Sequence, residues 1–340
     1  MRRYQLGEVY HRLRAAVRNG QPAQASRLLG EALGVELPAE PLPARLPVRL
    51  RPMLSYRGVK PAELAMIAAD LKPVVKLEDL PIAQAAVFTR RYRDQFRILQ
   101  SDPYRKDYLL LRSSPAVADA HALVSLYVSR GPEAEQLRAL EQGAREDFHG
   151  AGGLLGFPRC CVDAFAADFA HSRADQDTLN DDACRRLLAS CDAPDAAVNP
   201  LSDHELLAYY PCRLDCSASL ARAHSVARAL DRSRPGTGAQ LPHLLGAPTV
   251  FWRLPFFGTL RGRWQDGHFE LSGIDLNAFP DPEVARIQQW WARHLAGLLA
   301  PGARLQRRGE ILQAALPDGG PIELGDGLLL RWQQRLLATL

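Results

Sequence analysis

Lysine is nearly missing from this 340-residue chain: Lys60, Lys72, Lys76 and Lys106 are the only four, among 42 basic residues. So heavy a use of arginine, beside abundant alanine and leucine, reflects composition bias and gives any single arginine little weight. No apolar run approaches the ~20 residues of a membrane span, and the N-terminal MRRYQLGEVYHRLRAAVRNG has no apolar stretch suited to a signal peptide. A net charge of +4 is far from the dense basic footprint of a dedicated nucleic-acid-binding domain. There is no G-x-S-x-G elbow, no P-loop, no H-E-x-x-H and no paired-carboxylate signature. Six cysteines are too few for a disulfide scaffold. Together these absences point to a cytoplasmic protein without a membrane partner, in which clustered cysteines bind metal or carry redox chemistry.

What is present has the 47% hydrophobic and 24% charged usage of a globular protein. Residues 4–34 predict two helices broken at NGQPAQ, followed by a proline-rich extended connector over 34–52. KPAELAMIAADL (60–71) predicts a helix. AVFTRRY, QFRILQ, YLLLRS and HALVSLYVSR predict the strands of a small sheet between 84 and 129, and GPEAEQLRALEQGARE a helix after it. Residues 158–232 read as mostly helical. Beyond a boundary loop, Asp266-Gly267 marks a hairpin between apolar strands, DPEVARIQQWWARHLAGLL (281–299) a helix, and the tail two strands and a last short helix. The expected class is α+β: a helical cysteine-bearing middle flanked by small, mostly antiparallel sheets. Four stretches result: 1–52, 53–148, 149–232 and 233–340.

The informative stretches are GLLGFPRCCVDAF (153–165) and YYPCRLDCSASLARA (209–223). Pro158 and Pro211 suit the first turn of a helix, which would place Cys160, Cys161 and Cys212 where unpaired N–H groups favour the thiolate. Cys212 and Cys216, four apart, would then share a helix face. Thiolates are the metal-binding form, so Cys160, Cys161, Cys212 and Cys216 are the candidate ligands. Adjacent cysteines project about 100° apart on a helix and seldom reach one ion, whereas the separated corners of a cubane tolerate such spacing. A [4Fe–4S] cluster is the expected cofactor and zinc the alternative. Inert burial and a reactive thiol stay open as readings of the same residues. Cys184 and Cys191 bracket Leu187 and Leu188 at core spacing and are expected to pack. A radical-forming C-x3-C-x2-C triplet is excluded, because position 219 is Ser219.

The pair GFPRCCVDAF and YYPCRLDCSASL resembles the G-[FY]-P-x-C-C-x-x-x-F … P-C-x-x-x-C-x-x-S pattern of an uncharacterised prokaryotic family of unknown function. The resemblance covers residues 149–231 at most. It implies that the four cysteines belong to one motif and carries no activity with it.

His149 and His204 precede the two cysteine motifs and are the candidates for proton transfer. HGAGGLLG lacks dinucleotide-fingerprint spacing and reads as a turn. On a strand, Arg91, Arg93 and Arg97 of TRRYRDQFR would project from one face, and Arg91 and Arg93 are the candidates for anchoring a small anionic substrate; nucleic acid is the less favoured partner. Three functions follow: an iron–sulfur protein using its cluster as Lewis acid, redox centre or structural brace; a metal-free thiol enzyme; and a zinc-stabilised interaction module without enzymatic activity.

Overall fold

The computed structural model describes residues 3–53, 60–109, 112–143, 147–172, 179–189, 191, 194–202, 204–308 and 311–333. Along the first part of the chain lie helices α1 (Arg3–Arg18) and α2 (Pro22–Leu33), strand β1 (Val48–Pro52), α3 (Pro61–Ala68), β2 (Val74–Pro81) and α4 (Ile82–Tyr92). Strands β3 (Arg97–Gln100), β4 (Tyr104–Asp107), β5 (Arg112–Pro115) and β6 (Leu123–Ser129) follow. The middle is helical: α5 (Glu133–Gln142), α6 (Phe148–Leu154), α7 (Arg159–Ser172), α8 (Leu179–Ala189), α9 (Ser217–Ser233) and α10 (Thr237–Leu245). Then come β7 (Thr249–Arg253), β8 (Phe256–Gln265), β9 (His268–Ala278), α11 (Pro282–Leu298), β10 (Arg304–Arg308), β11 (Ile311–Ala315), β12 (Pro321–Glu323) and β13 (Leu328–Leu330). The α+β class expected from the sequence is what forms.

Two compact units share the chain. The first takes Met1–Met53, Tyr108–Leu110 and Ala247–Arg331; the second takes Leu54–Asp107, Leu111–Gly246 and Trp332–Leu340. The outermost sequence stretches thus come together in one unit and the cysteine-bearing middle in the other.

In the first unit an eight-stranded sheet runs β12-β11-β10-β9-β8-β7-β13, with β1 parallel to β9. Asp266 (φ 48°) and Gly267 (φ 81°) make the two-residue turn of the β8–β9 hairpin, where only left-handed backbone follows the twist of the strands. The connector is more than a surface strap. Leu46 is buried, and Val48–Pro52 pair from Val48↔Ile274 to Pro52↔Ala278, the prolines standing at or before the strand's ends where no ladder donor is lost. Asp281 caps α11 by accepting from the N–H groups of Glu283 (2.8 Å) and Val284 (2.9 Å). That helix lays Ile287, Trp291 and Leu295 into the core, with Trp291 edge-on to Trp252 at 5.1 Å.

In the second unit β6 is central to a five-stranded antiparallel sheet, flanked by β2 on one side and by β3 and β4 on the other. Its side chains alternate. Val124, Leu126 and Val128 face Ala85 and Phe88 of α4, while Tyr127 packs with Val74, Leu137 of α5, and Ala151 and Leu154 of α6. AVFTRRY, expected as a strand, is helical because Ile82, Ala85, Phe88 and Tyr92 keep a three-to-four-residue spacing that buries one stripe. The first strand is instead β2, whose bulge at Glu78-Asp79 puts Asp79 at φ 58°. The final short helix of the sequence reading lies outside the described residues.

Candidate metal centre

The first half of the site is built by α6 and α7. Asp147 caps α6 by accepting from the Gly150 N–H at 2.8 Å, so the glycine-rich stretch is a short helix and then a turn. Gly152 has a packing reason: a Cβ there would lie 2.5 Å from Val162 Cγ2 on α7. Phe148 meets Phe165 at 5.5 Å and Phe169 at 4.9 Å, locking the two helices together. Gly156, at φ 67°, supplies the left-handed turn into Phe157-Pro158. Arg159 then begins α7, and Cys160 and Cys161 lie in its first turn as expected.

The second half differs from expectation. Pro211 does not begin a helix; residues 194–202 and 204–216 form turns and irregular backbone with one 3-10 segment at Ala196–Val198, and α9 begins at Ser217 with Cys216 as its N-cap. Cys212 therefore lies in a loop and shares no helix face with Cys216. The loop between them turns back on itself, the Cys216 N–H donating to the Arg213 carbonyl at 3.2 Å.

The two motifs meet. All four sulfurs lie within 4.8 Å of one another. Cys160 Sγ is 3.9 Å from Cys161 Sγ and 3.8 Å from Cys216 Sγ, and Cys161 Sγ is 3.9 Å from Cys216 Sγ. Cys161 and Cys216 are buried, Cys212 is half-buried and Cys160 is exposed. Adjacent residues do project apart on a helix, yet a third sulfur arriving from the N-cap of α9 is as close to each of Cys160 and Cys161 as they are to one another. Such a group could hold a metal ion.

Around the sulfurs is a hydrogen-bonding shell that the sequence reading did not single out. Ser219 Oγ is 3.2 Å from Cys161 Sγ, and the Tyr209 hydroxyl donates to Ser219 Oγ at 3.2 Å. The Cys212 N–H donates to Cys161 Sγ at 3.3 Å. Phe157 packs on the Tyr209 ring at 4.6 Å and carries Lys72 Nζ 5.4 Å from its ring centre. Arg222 ties the Leu71 and Gly156 carbonyls together, and Lys72 is buried against Glu63 at 3.1 Å. The signal for this shell was in the motif itself, where G-F-P, the tyrosines before Pro211 and the serine three after Cys216 accompany the cysteines.

Burial pushes the Cys161 thiol up to about 11, and burial with neighbouring thiols raises Cys212 further. For Cys216 burial acts upward as well, but the hydroxyl and N–H of Ser219 and the thiols of Cys212 and Cys160 outweigh it and bring the group to about 7. Burial also raises the Tyr209 phenol, which keeps it a donor.

The other residues singled out in the sequence stand apart from this shell. His149 is exposed on α6, and the polar neighbour of its ring is Asp163 at 3.6 Å. His204 is exposed in the loop before Cys212, its backbone N–H donating to Ser202 Oγ. Arg91 lies in the last turn of α4 and Arg93 caps that helix, so the expected arginine-bearing strand face is not there. Helix α4 covers the sheet face opposite the one that receives α6, and α7 is on the α6 side. The sheet thus separates these arginines from Cys160 and Cys161. Cys184 is fully buried, as expected of a packing residue.

No family model, no curated protein and no solved structure matches the chain. The chemistry of the site rests on its own geometry.

Proposed function

We propose that Cys160, Cys161, Cys212 and Cys216 hold one tetrahedral zinc ion that braces the second unit. The observation carrying this reading is the sulfur spacing. Four thiolates about 2.3 Å from a zinc ion lie roughly 3.8 Å from one another, and three of the sulfur pairs here are 3.8–3.9 Å apart. In a [4Fe–4S] cluster each thiolate sits on a different iron, and the sulfurs stand on the order of 6 Å apart. The spacing therefore supports the alternative cofactor of the sequence reading over the cluster.

Four protein thiolates complete a zinc coordination sphere, as in structural sites, and leave no open position for a substrate or an activated water. The reading gives His149 and His204 no proton to transfer. It gives the metal a mechanical role: joining the start of α7 to the N-cap of α9 across more than fifty residues of chain, a constraint the unfolded chain lacks. The protein is accordingly read as a zinc-stabilised, non-enzymatic module. The motif resemblance, in which the four cysteines belong together, agrees with this assignment.

The test is elemental analysis with visible spectroscopy on protein purified without oxygen. The expected result is about one zinc per chain and no absorption band near 400 nm. Iron with acid-labile sulfide in a brown protein would overturn the reading, as would full zinc occupancy in Cys216→Ser.

A further inference from the structure

The second unit holds all four lysines, yet the positive charge of the molecule resides in the first. Eighteen arginines and thirteen acidic residues give the first unit +5, and the remainder of the chain sums to −1. Much of that excess is on one sheet face. Registers Leu260↔Ile274, Trp264↔Phe269 and Leu305↔Phe269 place those apolar side chains inward, with Trp264 edge-on to Phe269 at 5.3 Å. The intervening residues face outward: Arg261 and Arg263 on β8, Arg304 and Arg308 on β10, and Arg49 and Arg51 on β1. A bulge at Ser272-Gly273 on β9 preserves this alternation, since Gly262 pairs with Leu271 and Arg261 with Gly273.

Three acids share the face. Asp275 is buried beneath Arg51 (2.7 Å) and Arg261 (3.3 Å), Glu270 pairs with Arg263 at 2.9 Å, and Glu323 lies opposite Gln313. Asp275 and Glu270 fix the arginines that flank them: the Arg51 and Arg263 side chains stay 62% and 73% exposed, whereas Arg261 is held down, its Nη2 donating to the Pro47 carbonyl at 3.0 Å. Arg49, Arg304 and Arg308 are exposed with no ion pair among the described residues. Arginines recur about 6.6 Å apart along β8 and along β1, and β9 sets those of β8 about 9.6 Å across the sheet from those of β10 and β1, an array of planar phosphate-binding forks with one strand between its rows. Gln306 and Gln313, opposite one another, add amide donors between them.

We infer that this outer face binds the phosphate backbone of a nucleic-acid duplex without regard to sequence. Apart from His268 it offers no ring on which an unpaired base could stack, so single strands gain nothing from it beyond charge. Its accessible apolar content is the half-buried Ile311 and Ala315 and the exposed Pro321, with Phe251 and Phe257 at its far end buried, too little to enter a lipid surface. A duplex, with its phosphates outward and its bases hidden, is the polyanion that fits. This inference does not rest on the metal reading.

The experiment is fluorescence anisotropy of a labelled 20-base-pair DNA duplex of arbitrary sequence against the full chain at 50 and 200 mM KCl, with co-sedimentation on phosphatidylserine vesicles beside it. Arg263→Gln/Arg304→Gln/Arg308→Gln changes only exposed side chains, and its thermal melt checks that it folds. The wild type is expected to bind the duplex with affinity falling steeply as salt rises. The triple variant is expected to lose at least tenfold at 50 mM and to lower the slope of log K against log salt by about 2 to 3, near 0.9 per lost phosphate contact. Retention of the wild-type affinity and slope by the folded variant would overturn the inference. So would binding to vesicles but not to duplex, or to neither. Cys160→Ser, outside this unit, is expected to bind duplex like the wild type if folded.

Discussion

Ser219 shows how a single side chain serves two thiols. Buried at the start of α9, it takes a hydrogen bond from Tyr209 and sets its hydroxyl 3.2 Å from Cys161 Sγ, while its hydroxyl and N–H also favour the Cys216 thiolate. Outer-shell donors of this kind tune metal affinity without touching the ion. Ser219→Ala should weaken zinc binding by roughly 10- to 100-fold, and Tyr209→Phe by less; competition with a chromophoric chelator measures both, and equal affinities would remove the shell from the account. A second buried group acts on stability. His294 Nε2 lies 2.9 Å from Ser26 Oγ, which accepts from Trp290 Nε1 at 3.0 Å, and burial lowers the imidazole from 6.5 to about 4. Between these values the unfolded chain binds a proton that the folded one refuses. His294 therefore makes stability fall as pH drops from about 6.5 to 4, by up to roughly 3 kcal/mol, with no contribution above that window. Urea titrations at pH 7.5 and 4.5 should show a pH-dependent loss smaller by that amount in His294→Gln than in the wild type; identical losses would contradict the assignment.

Among elements, the α6–α7 corner is the tightest support of the site. Gly152→Ala drives a methyl into Val162, and Gly156→Ala meets both a left-handed backbone and the Arg222 guanidinium, 2.9 Å from the added carbon. Each should destabilise the second unit by about 1–3 kcal/mol, seen as a lower midpoint in denaturant, and Gly153→Ala, where nothing lies within 4 Å, should not. At this scale the sequence was legible where local chemistry decides. The Asp266-Gly267 hairpin, the Pro22 and Pro282 helix starts and the first turn of α7 all follow from short-range backbone rules. It misled where tertiary burial decides. Pro211 looks like Pro158, but no apolar stripe follows it until Ser217, so the helix waits. TRRYRDQFR carries arginines at strand spacing, but the Ile82–Phe88 stripe needs a helix to cover β6. The arginine face belongs instead to β8, β10 and β1, spread over three stretches of sequence that only the sheet brings onto one face around β9.

For the whole molecule, the cysteine pairs were identifiable as a group from their spacing after proline and from the motif they resemble, while their arrangement was not. Whether two adjacent sulfurs can join one tetrahedron depends on where a third arrives, and that is a property of α7 and α9 packed together. Removal of the metal should therefore act on one unit more than the other. A chelator strong enough to strip the ion is expected to lower amide-exchange protection over α6, α7, residues 205–216 and α9, while Trp252, Trp291 and the strands of the first unit keep theirs. Loss of protection spread evenly over both units would argue against a local brace.

X-ray absorption at the zinc edge of the purified protein tests the central claim most directly. The account predicts a single shell of four sulfurs at about 2.3 Å and no neighbouring metal. A shell containing oxygen or nitrogen, or an iron edge with metal–metal scattering in place of zinc, would contradict it.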